Sequence, residues 1–199
     1  MLDIKFSDKQ LEAGTDEAGR GCLAGPVVAA AVILPDNFSS ELLDDSKKLT
    51  EPRRRMLRPL IEREALAYGV SFVWQDEIDR INILQASIQA MHRALDQLQP
   101  EPEFVIVDGN RFLPYREIPH RTIVKGDGKY LSIAAASVLA KTYRDEYMEQ
   151  LHKRFPMYGW KGNKGYPTAE HRNAIREHGS CEHHRQSFQL LPAQLKMDL

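Results

Sequence analysis

The sequence contains few cysteines and no long apolar segment. Cys22 and Cys181 are the only cysteines among 199 residues and lie far apart, which argues against a disulfide scaffold and fits a reducing cytosol. The longest uninterrupted apolar run covers residues 27–34, whereas a helix needs roughly 20 apolar residues to span a bilayer. The N-terminus lacks the basic start and apolar core of a secretory signal peptide. These absences predict a cytoplasmic protein without membrane contact.

Charge of one sign is not in excess either, but its distribution along the chain is uneven. The net charge is −1, with 42% hydrophobic and 28% charged residues, values typical of a globular protein. Residues 47–58 nevertheless contain six basic residues against one acid, and residues 150–185 contain seven against three. Either run alone could be a solvated helix face. Two such runs in an otherwise acidic chain indicate that the protein binds a polyanion beside a centre of acidic residues.

Strand-like and helix-like hydrophobic patterns alternate along the chain. They predict strands at residues 11–16, 27–34, 68–74, 104–107 and 121–125. They predict helices at residues 50–67, 76–98, 130–155 and 168–179, a short last helix from Leu191, and a loop at residues 156–167. Thr50 and Thr168 are the expected N-caps. This order predicts one α/β domain over residues 1–199, with a helical extension at about residues 168–199 packed on it.

Four acidic residues lie where an α/β sheet presents side chains to a ligand. Asp16 and Glu17 end a predicted strand and precede a Gly-Arg-Gly turn. Asp108 ends a fully apolar strand, and Asp127 lies between two glycines just before the long helix. If the four carboxylates converge, they form an oxygen-only cage for Mg²⁺ or Mn²⁺. The alternative is that Asp108 and Asp127 are ordinary turn residues and Asp16 an ordinary loop acid.

Two further patterns suggest other ligands but fit them poorly. Residues 126–129 resemble part of a phosphate-binding loop, yet Ile123 replaces its first glycine and Tyr130 its Ser or Thr. A zinc site is suggested by four residues near the C-terminus: His178, Cys181, His183 and His184. Their spacing matches no familiar zinc pattern. We therefore expect this cluster to be solvated or to face phosphates.

The acidic residues belong to a series of short motifs that runs through most of the chain. The motifs are Asp-Glu-Ala-Gly-Arg-Gly at residues 16–21, Ala-Gly-Pro-Val at 24–27, Asp-Ser-Lys-Lys-Leu at 45–49, Ile-Asn-Ile-Leu at 81–84, Val-Asp-Gly-Asn at 107–110, Val-Lys-Gly-Asp at 124–127, the run at 133–141 followed by Arg144-Asp145, Lys-Gly-Tyr-Pro-Thr at 164–168, and residues 182–188. In content and order this series resembles bacterial ribonuclease HII over roughly residues 11–188.

The resemblance implies a ribonuclease H-like fold, with a mixed sheet flanked by helices, and a metal-dependent endonuclease. Such an enzyme cuts duplex DNA 5′ of an embedded ribonucleotide, or RNA in RNA–DNA hybrids, leaving 3′-hydroxyl and 5′-phosphate ends. It would act as a monomer, with two Mg²⁺ or Mn²⁺ ions, in the removal of ribonucleotides from DNA. The catalytic and metal-binding acids of the family match Asp16, Glu17, Asp108 and Asp127.

The resemblance also assigns residues to the substrate: Gly19, Arg20 and Gly21 to the ribonucleotide and its phosphates, and Tyr166 to the junction between ribo- and deoxyribonucleotide. Lys47, Lys161 and Lys164 belong to the two basic runs, which we expect to follow the phosphates. A glycine-lined turn lets the backbone approach a 2′-hydroxyl closely, which suits this reading. Cys22 replaces a proline common in the family, and we expect it to be a small buried substitute. Residues 194–199 match no family pattern, and no clamp-binding segment is read from them.

One alternative is another enzyme, a DNA-specific nuclease or recombinase of the same fold. The other comes from a different functional class and is a non-catalytic nucleic-acid binder. The Gly-Arg-Gly turn and Tyr166 argue against the first, because a DNA-only enzyme has no 2′-hydroxyl to read. Four acids in a phosphate-binding cleft argue against the second, because without a metal they would repel the nucleic-acid backbone.

Overall fold

The computed structural model describes residues 2–40, 43 and 49–191. In these ranges the strands are β1 (Glu12–Ala18), β2 (Val27–Ile33), β3 (Ala67–Val73), β4 (Phe104–Asp108) and β5 (His120–Ile123). The helices are α1 (Glu51–Glu64), α2 (Gln75–Ile81), α3 (Ile83–Leu95), α4 (Leu131–Arg154), α5 (Trp160–Asn163) and α6 (Ala169–His178). Among the described residues, no helix is both long enough and apolar enough to cross a membrane.

β1 lies at the centre of the sheet, whose strand order is β3-β2-β1-β4-β5. It pairs antiparallel with β2 and parallel with β4, so the sheet is mixed. Thr15 lies opposite Val107, which places the carboxyl-terminal ends of β1 and β4 side by side. The predicted α/β class, with a mixed sheet flanked by helices, is confirmed. One domain with an extension from about residue 168 stays a prediction.

Small side chains allow helices to cover both faces of the central strands. β2 is buried along its whole length, and alternate residues of a strand point to opposite faces. Ala29 and Ala31 belong to the core that includes α3, whereas Ala30 and Val32 belong to the core that includes α4. This double burial explains why residues 27–34 form one continuous apolar run.

α4 lies directly against β1 because Gly14 has no side chain. A Cβ at Gly14 would overlap the backbone nitrogen of Ile133 and lie 2.6 Å from the Ser132 hydroxyl. The two elements run in the same direction, so Gly19, just beyond β1, meets Arg144, which lies about three turns further along α4. The residues that end β1 are therefore placed against side chains of α4.

The predicted helix at residues 76–98 is two helices, α2 and α3, separated at Asn82. This residue has a φ of 67°, and its Oδ1 accepts hydrogen bonds from the backbone N–H groups of Leu84 and Gln85. Asn82 is thus the N-cap of α3. Ile81 and Leu84, on either side of the break, pack against the same core. Hydrophobic spacing continues through the break and does not reveal it.

The predicted loop at residues 156–167 contains a 3-10 turn at Pro156–Tyr158 and the short helix α5. Their buried aromatic side chains, Tyr158 and Trp160, stack with ring centres 4.8 Å apart. Ring stacking between residues in a Gly- and Pro-rich segment leaves no periodic pattern in the sequence, so the loop prediction was wrong here.

The predicted helix starts agree with the structure in position. The Thr168 hydroxyl accepts a hydrogen bond from the N–H of His171 and caps α6, as predicted. Thr50 precedes α1, but its side chain makes no capping hydrogen bond. The short helix predicted from Leu191 lies outside the described residues apart from Leu191 itself.

We expect Gly14→Ala to lower the free energy of unfolding by about 3 kcal/mol, because the added methyl group has no space beside the backbone of α4. Urea unfolding followed by circular dichroism measures this. Gly162→Ala is the matched control, since no atom lies within 4 Å of its Cβ position, and should change stability by less than about 1 kcal/mol. Equal stability of the two variants would contradict the close contact of α4 with β1.

Candidate active site

Three acidic residues lie where β1 and β4 end. Asp16 and Glu17 are among the last three residues of β1, and Asp108 is the last residue of β4. Because the strands are parallel neighbours, these side chains share one edge of the sheet. Asp16 is only 5% exposed. Burial, together with the charges of Glu17 and Asp108, raises the pKa of Asp16 to about 8. The structure thus places these three predicted acids at the same end of the sheet.

Two residues of α4 face Asp16. Ser137 hydrogen-bonds to Asp16, and the positive charge of Lys141 opposes the rise in its pKa. Lys141 Nζ also donates to Ser137 Oγ at 2.7 Å, across one helical turn. The sequence analysis assigned neither residue a role. Their spacing of four, which places both on one face of a helix, was a signal that could have identified them.

Glu17 and Asp108 have partners of their own. Burial raises the pKa of Glu17, and Arg20, whose Nη1 lies 3.2 Å from Glu17 Oε1, opposes that rise. Asp108 Oδ1 accepts a hydrogen bond from the N–H of Gly126 at 2.7 Å. The next residue, Asp127, is buried in a 3-10 turn. Asp127 is therefore adjacent in sequence to the amide that orients Asp108.

The donor set fits a hard divalent cation. Within the described ranges, no three Asp, Glu, His or Cys side chains lie close enough together to hold a metal ion as they stand. The chemistry nevertheless matches, because carboxylate oxygens are the ligands that Mg²⁺ and Mn²⁺ prefer. A cation would also offset the like charges that raise the pKa of Asp16. Asp16, Glu17 and Asp108 would hold it, and Asp127 stays the predicted fourth ligand.

The Gly-Arg-Gly turn (residues 19–21) follows β1 directly. Gly19 has a φ of +94°, which favours glycine, and a Cβ there would overlap the side chain of Arg144. Arg185 donates hydrogen bonds to the carbonyl oxygens of Gly19 (2.8 Å) and Arg20 (3.0 Å). In a trans peptide the C=O and N–H groups point in opposite directions, so the N–H groups of Arg20 and Gly21 point away from Arg185. Arg20 and Gly21 are both exposed, and the Cβ position of Gly21 has no atom within 4 Å.

Two arginines support the turn from its buried side. Arg144 and Arg185 are 2% and 0% exposed. Their hydrogen bonds go to backbone carbonyl oxygens, which for Arg144 are those of Ala24, Pro26 and Lys164, and for Arg185 those of Gly19, Arg20 and Gly25. Burial, and then the charge of Arg144, lower the pKa of Arg185 to about 10. Both guanidinium groups therefore fix backbone positions.

The sequence analysis assigned no role to these arginines. Arg144 follows Ala136 and Ala140 at intervals of four and precedes Met148, and all four residues are buried. A charged residue within such a buried stripe was a signal of a structural role. Arg185 offered no comparable signal, because it lies in a segment without regular secondary structure.

Tyr166 is exposed beside the Gly-Arg-Gly turn. It is 47% exposed, and the Arg144 guanidinium lies 5.9 Å from its ring centre. Its hydroxyl lies near the thiol of Cys22, which is fully buried, as expected. The N–H of Leu23 donates to the carbonyl oxygen of Gly165 at 2.8 Å. Tyr166 is thus joined to the chain that continues from the turn.

The predicted phosphate-binding lysines differ in their exposure and ion pairing. Lys47 lies outside the described residues, and Lys161 is exposed on α5 without an ion pair to any described residue. Lys164 is 9% exposed, and its Nζ lies 2.6 Å from Glu149 and 3.7 Å from Glu51. Its charge is compensated within the protein, which does not favour the predicted phosphate contact.

Three arginines of the first basic run form ion pairs with acids of α4. The pairs are Arg54 with Asp145 (3.3 Å), Arg55 with Glu149, and Arg58 with Glu146 (2.8 Å). The run therefore contributes an ion-pair network between α1 and α4, and less free positive charge than its composition indicates. A local count of charges cannot reveal this, because the acids come from a distant part of the sequence.

The C-terminal histidine cluster is not solvated as a whole. His184 is 1% exposed, and its ring packs against Tyr158 and Trp160. For His184 the expectation of a solvated or phosphate-facing side chain was wrong. The aromatic residues that bury it come from the segment predicted to be a loop, so neither feature was visible from spacing. His178, by contrast, is exposed.

A sheet of this order, with three acidic residues where parallel β1 and β4 end, defines a protein of the ribonuclease H-like class. The family model Ribonuclease HII matches residues 13–191. The ribonuclease HII of Christiangramia forsetii is 63% identical over 198 residues, which cover all of both chains. The chain belongs to the ribonuclease HII family and is a ribonuclease H endonuclease.

Solved structures share the fold. The ribonuclease HII of Archaeoglobus fulgidus, solved in complex with PCNA, matches with a TM-score of 0.76 and 27% identity, covering 93% of this chain and 98% of that one. The Bst ribonuclease HIII, solved in complex with Mn²⁺, matches with a TM-score of 0.69 and 21% identity, covering 90% of this chain and 67% of that one. The second likeness concerns the fold alone.

We expect Asp16→Asn to stabilise the metal-free protein at pH 8. Because the pKa of Asp16 is raised from 3.8 to about 8 on folding, the folded state binds more protons, and its stability falls as pH rises between these values. Asparagine lacks this penalty. Thermal unfolding in EDTA at pH 5 and pH 8 should therefore show a higher melting temperature for the variant, with the larger difference at pH 8.

The same variant should gain less stability than the wild type when Mg²⁺ or Mn²⁺ is added, because it lacks one ligand charge. Asp8→Asn, at an exposed position, is the matched control and should behave like the wild type. A lower melting temperature of Asp16→Asn in EDTA at pH 8, with full stabilisation by metal, would contradict the acid cluster.

Proposed function

We propose that the protein hydrolyses the phosphodiester bond 5′ of a ribonucleotide in duplex DNA, and RNA in RNA–DNA hybrids, leaving 3′-hydroxyl and 5′-phosphate ends. The observation that supports this best is a cavity that lies between the proposed substrate-reading residues and a side chain that faces Asp16. A cavity of about 340 Å³ borders Gly19, Lys141 and Tyr166, and Lys141 is the α4 residue that faces Asp16. One bound strand could therefore meet both.

The acids would hold Mg²⁺ or Mn²⁺, and we propose two such ions. When bound, they supply the Lewis acidity that activates a water molecule and stabilises charge on the phosphate. The chain itself holds the ligands in place. Ser137 orients Asp16, and the N–H of Gly126 orients Asp108. The charge of Lys141 favours the ionised form of Asp16, which is the form that binds a cation.

Selectivity for a ribonucleotide would come from the turn and from Tyr166. The N–H groups of Arg20 and Gly21 point away from Arg185 and belong to exposed residues, so they can donate to a phosphate or to a 2′-hydroxyl oxygen. The exposed ring of Tyr166 can stack on a sugar that lacks this hydroxyl. Such a pair of contacts fits a junction between a ribonucleotide and a deoxyribonucleotide.

The proposed substrate also indicates where the protein acts. We propose a monomer of one domain that removes misincorporated ribonucleotides from the cell's own DNA, in the cytoplasm. The Archaeoglobus fulgidus protein was solved with PCNA. We propose no clamp contact for this chain, whose residues 192–199 lie outside the described part.

The test uses an end-labelled DNA duplex with one ribonucleotide, incubated in EDTA, Mg²⁺ or Mn²⁺. We expect cleavage only with metal, just 5′ of the ribonucleotide, and none of an all-deoxy duplex. Asp108→Asn should bind the duplex but cleave at least ~100-fold more slowly, equivalent to about 2.7 kcal/mol of barrier. Metal-dependent cleavage of the all-deoxy duplex would favour a DNA nuclease, and binding without any cleavage would favour a non-catalytic binder.

Tyr166→Ala should reduce selectivity for the junction more than it reduces cleavage in general. Loss of a stacking contact costs roughly 1–3 kcal/mol, and only a junction substrate offers the sugar that lacks a hydroxyl. The measurement is kcat/KM for a single embedded ribonucleotide divided by kcat/KM for a uniform hybrid. Tyr166→Phe keeps the ring and is the control. An unchanged ratio in Tyr166→Ala would show that the ring does not contribute to selectivity for the junction.

Lys161→Gln and Lys164→Gln should have different effects. Exposed Lys161 should act in binding, so its loss should raise the Kd and flatten the dependence of log Kd on log salt, by up to about one unit of slope. Lys164 is already paired with Glu149, so its loss should lower the melting temperature and leave the slope unchanged. Identical salt slopes for both variants and the wild type would place Lys161 outside the interface.

A further inference from the structure

Two buried histidines form a continuous hydrogen-bonded chain behind Tyr166. His171 Nδ1 lies 3.0 Å from the carbonyl oxygen of Tyr166, and His171 Nε2 lies 3.1 Å from His184 Nε2. Trp160 Nε1 donates to the same His171 Nε2 at 3.0 Å. The backbone N–H of Cys181 donates to His184 Nδ1 at 3.0 Å. Every ring nitrogen of the pair is thus in use.

These contacts fix the position of each proton. A carbonyl oxygen can only accept, so His171 carries its proton on Nδ1. Its Nε2 is then an acceptor, which agrees with the N–H that Trp160 directs at it. His184 must therefore donate from Nε2, and its Nδ1 accepts from the N–H of Cys181. The two rings have one consistent arrangement, in which both are neutral.

Burial favours the neutral forms of both histidines, and their hydrogen bonds leave no ring lone pair to bind a metal. His171 and His184 are 0% and 1% exposed. Burial lowers the pKa of His171, and burial together with the neighbouring His171 lowers the pKa of His184 to about 4. Both acceptor nitrogens already receive N–H groups. The chain is therefore a structural connection, and the zinc pattern considered from the sequence is excluded for His184 by its hydrogen bonds.

The chain connects the two elements that we propose to read the substrate. At one end lies the backbone of Tyr166. At the other end, His184 forms an isolated β-bridge with Ala24. The backbone N–H of the adjacent Arg185 donates to the carbonyl oxygen of Leu23 at 2.8 Å. Residues 23–24 follow the Gly-Arg-Gly turn after one residue, Cys22. Through the histidines, the carbonyl group of Tyr166 is therefore tied to the segment that carries the turn.

We infer that His171 is a positioning residue for Tyr166, and that its Nδ1–H sets the place of the Tyr166 backbone relative to the Gly-Arg-Gly turn. This inference rests on the proposed function, because it concerns the selectivity of the same site. His171 itself does not touch the substrate in this account. Its two nitrogens have separable tasks: Nδ1 holds Tyr166, and Nε2 accepts from Trp160 and His184 and holds the core.

Two substitutions separate these tasks. In His171→Asn, the side-chain amide can place an N–H group where Nδ1 was, but nothing accepts from Trp160 and His184. In His171→Gln, the longer side chain can place its oxygen where Nε2 was, but the side-chain donor to the Tyr166 carbonyl oxygen is lost and only the backbone N–H of Thr168 still donates to it. The two variants therefore each keep a different half of the chain.

The readouts are the melting temperature and the selectivity ratio, kcat/KM for a single embedded ribonucleotide over kcat/KM for a uniform hybrid. For His171→Gln we expect a ratio lower by a factor of about 5, the effect of one neutral hydrogen bond, with little change in melting temperature. For His171→Asn we expect a ratio within about twofold of the wild type and a melting temperature lower by about 5 °C or more.

A selectivity ratio that falls in step with the melting temperature in both variants would overturn the inference, because His171 would then act only on the fold. An unchanged ratio in a well-folded His171→Gln would overturn it as well. Failure of the proposed function looks different: the wild type itself would show no metal-dependent cleavage at the ribonucleotide. The wild-type assay therefore distinguishes the two failures before any variant is compared.

Discussion

The close contact between β1 and α4 is the constraint on which the site depends. Gly14 lets the strand approach the backbone of the helix, and both elements then run in the same direction. Asp16 consequently meets Ser137, and Gly19 meets Arg144. A side chain at Gly14 would separate the elements and would move the acid cluster and the base of the Gly-Arg-Gly turn away from their partners together. Chemistry and recognition therefore share one packing contact.

The charges around β1 are arranged in two groups with different tasks. Burial and mutual repulsion act against the ionised acids at the end of the strand, as the raised pKa of Asp16 shows. Beneath the Gly-Arg-Gly turn that follows, Arg144 and Arg185 contribute positive charge, and their guanidinium groups donate hydrogen bonds to backbone carbonyl oxygens. The acids are thus suited to a cation, and the turn presents its N–H groups to an anion. A phosphate with its metal ions matches both.

The sequence predicted most strands, most helices and the acids that end β1 and β4, because strand ends and glycine turns leave local signals. It could not predict features that depend on distant partners. The break at Asn82 is invisible because both helices pack on one core. The pairing of Lys164 with Glu149 and the burial of His184 depend on contacts made only in the fold. The hydrogen bonds of His171 and His184 likewise could not be predicted, since they join α6, the C-terminal segment and the segment that contains Trp160 and Tyr166.

The most direct measurement is an NMR titration of the Asp16 carboxyl carbon in the metal-free protein, repeated with saturating Mg²⁺. The account predicts a midpoint near pH 8 without metal, because Asp16 is buried beside Glu17 and Asp108, and a clear fall of that midpoint when Mg²⁺ binds. An ordinary midpoint near pH 4 that does not respond to Mg²⁺ would contradict it. Asp16 would then belong to no coupled acid cluster, and the site would lose its metal.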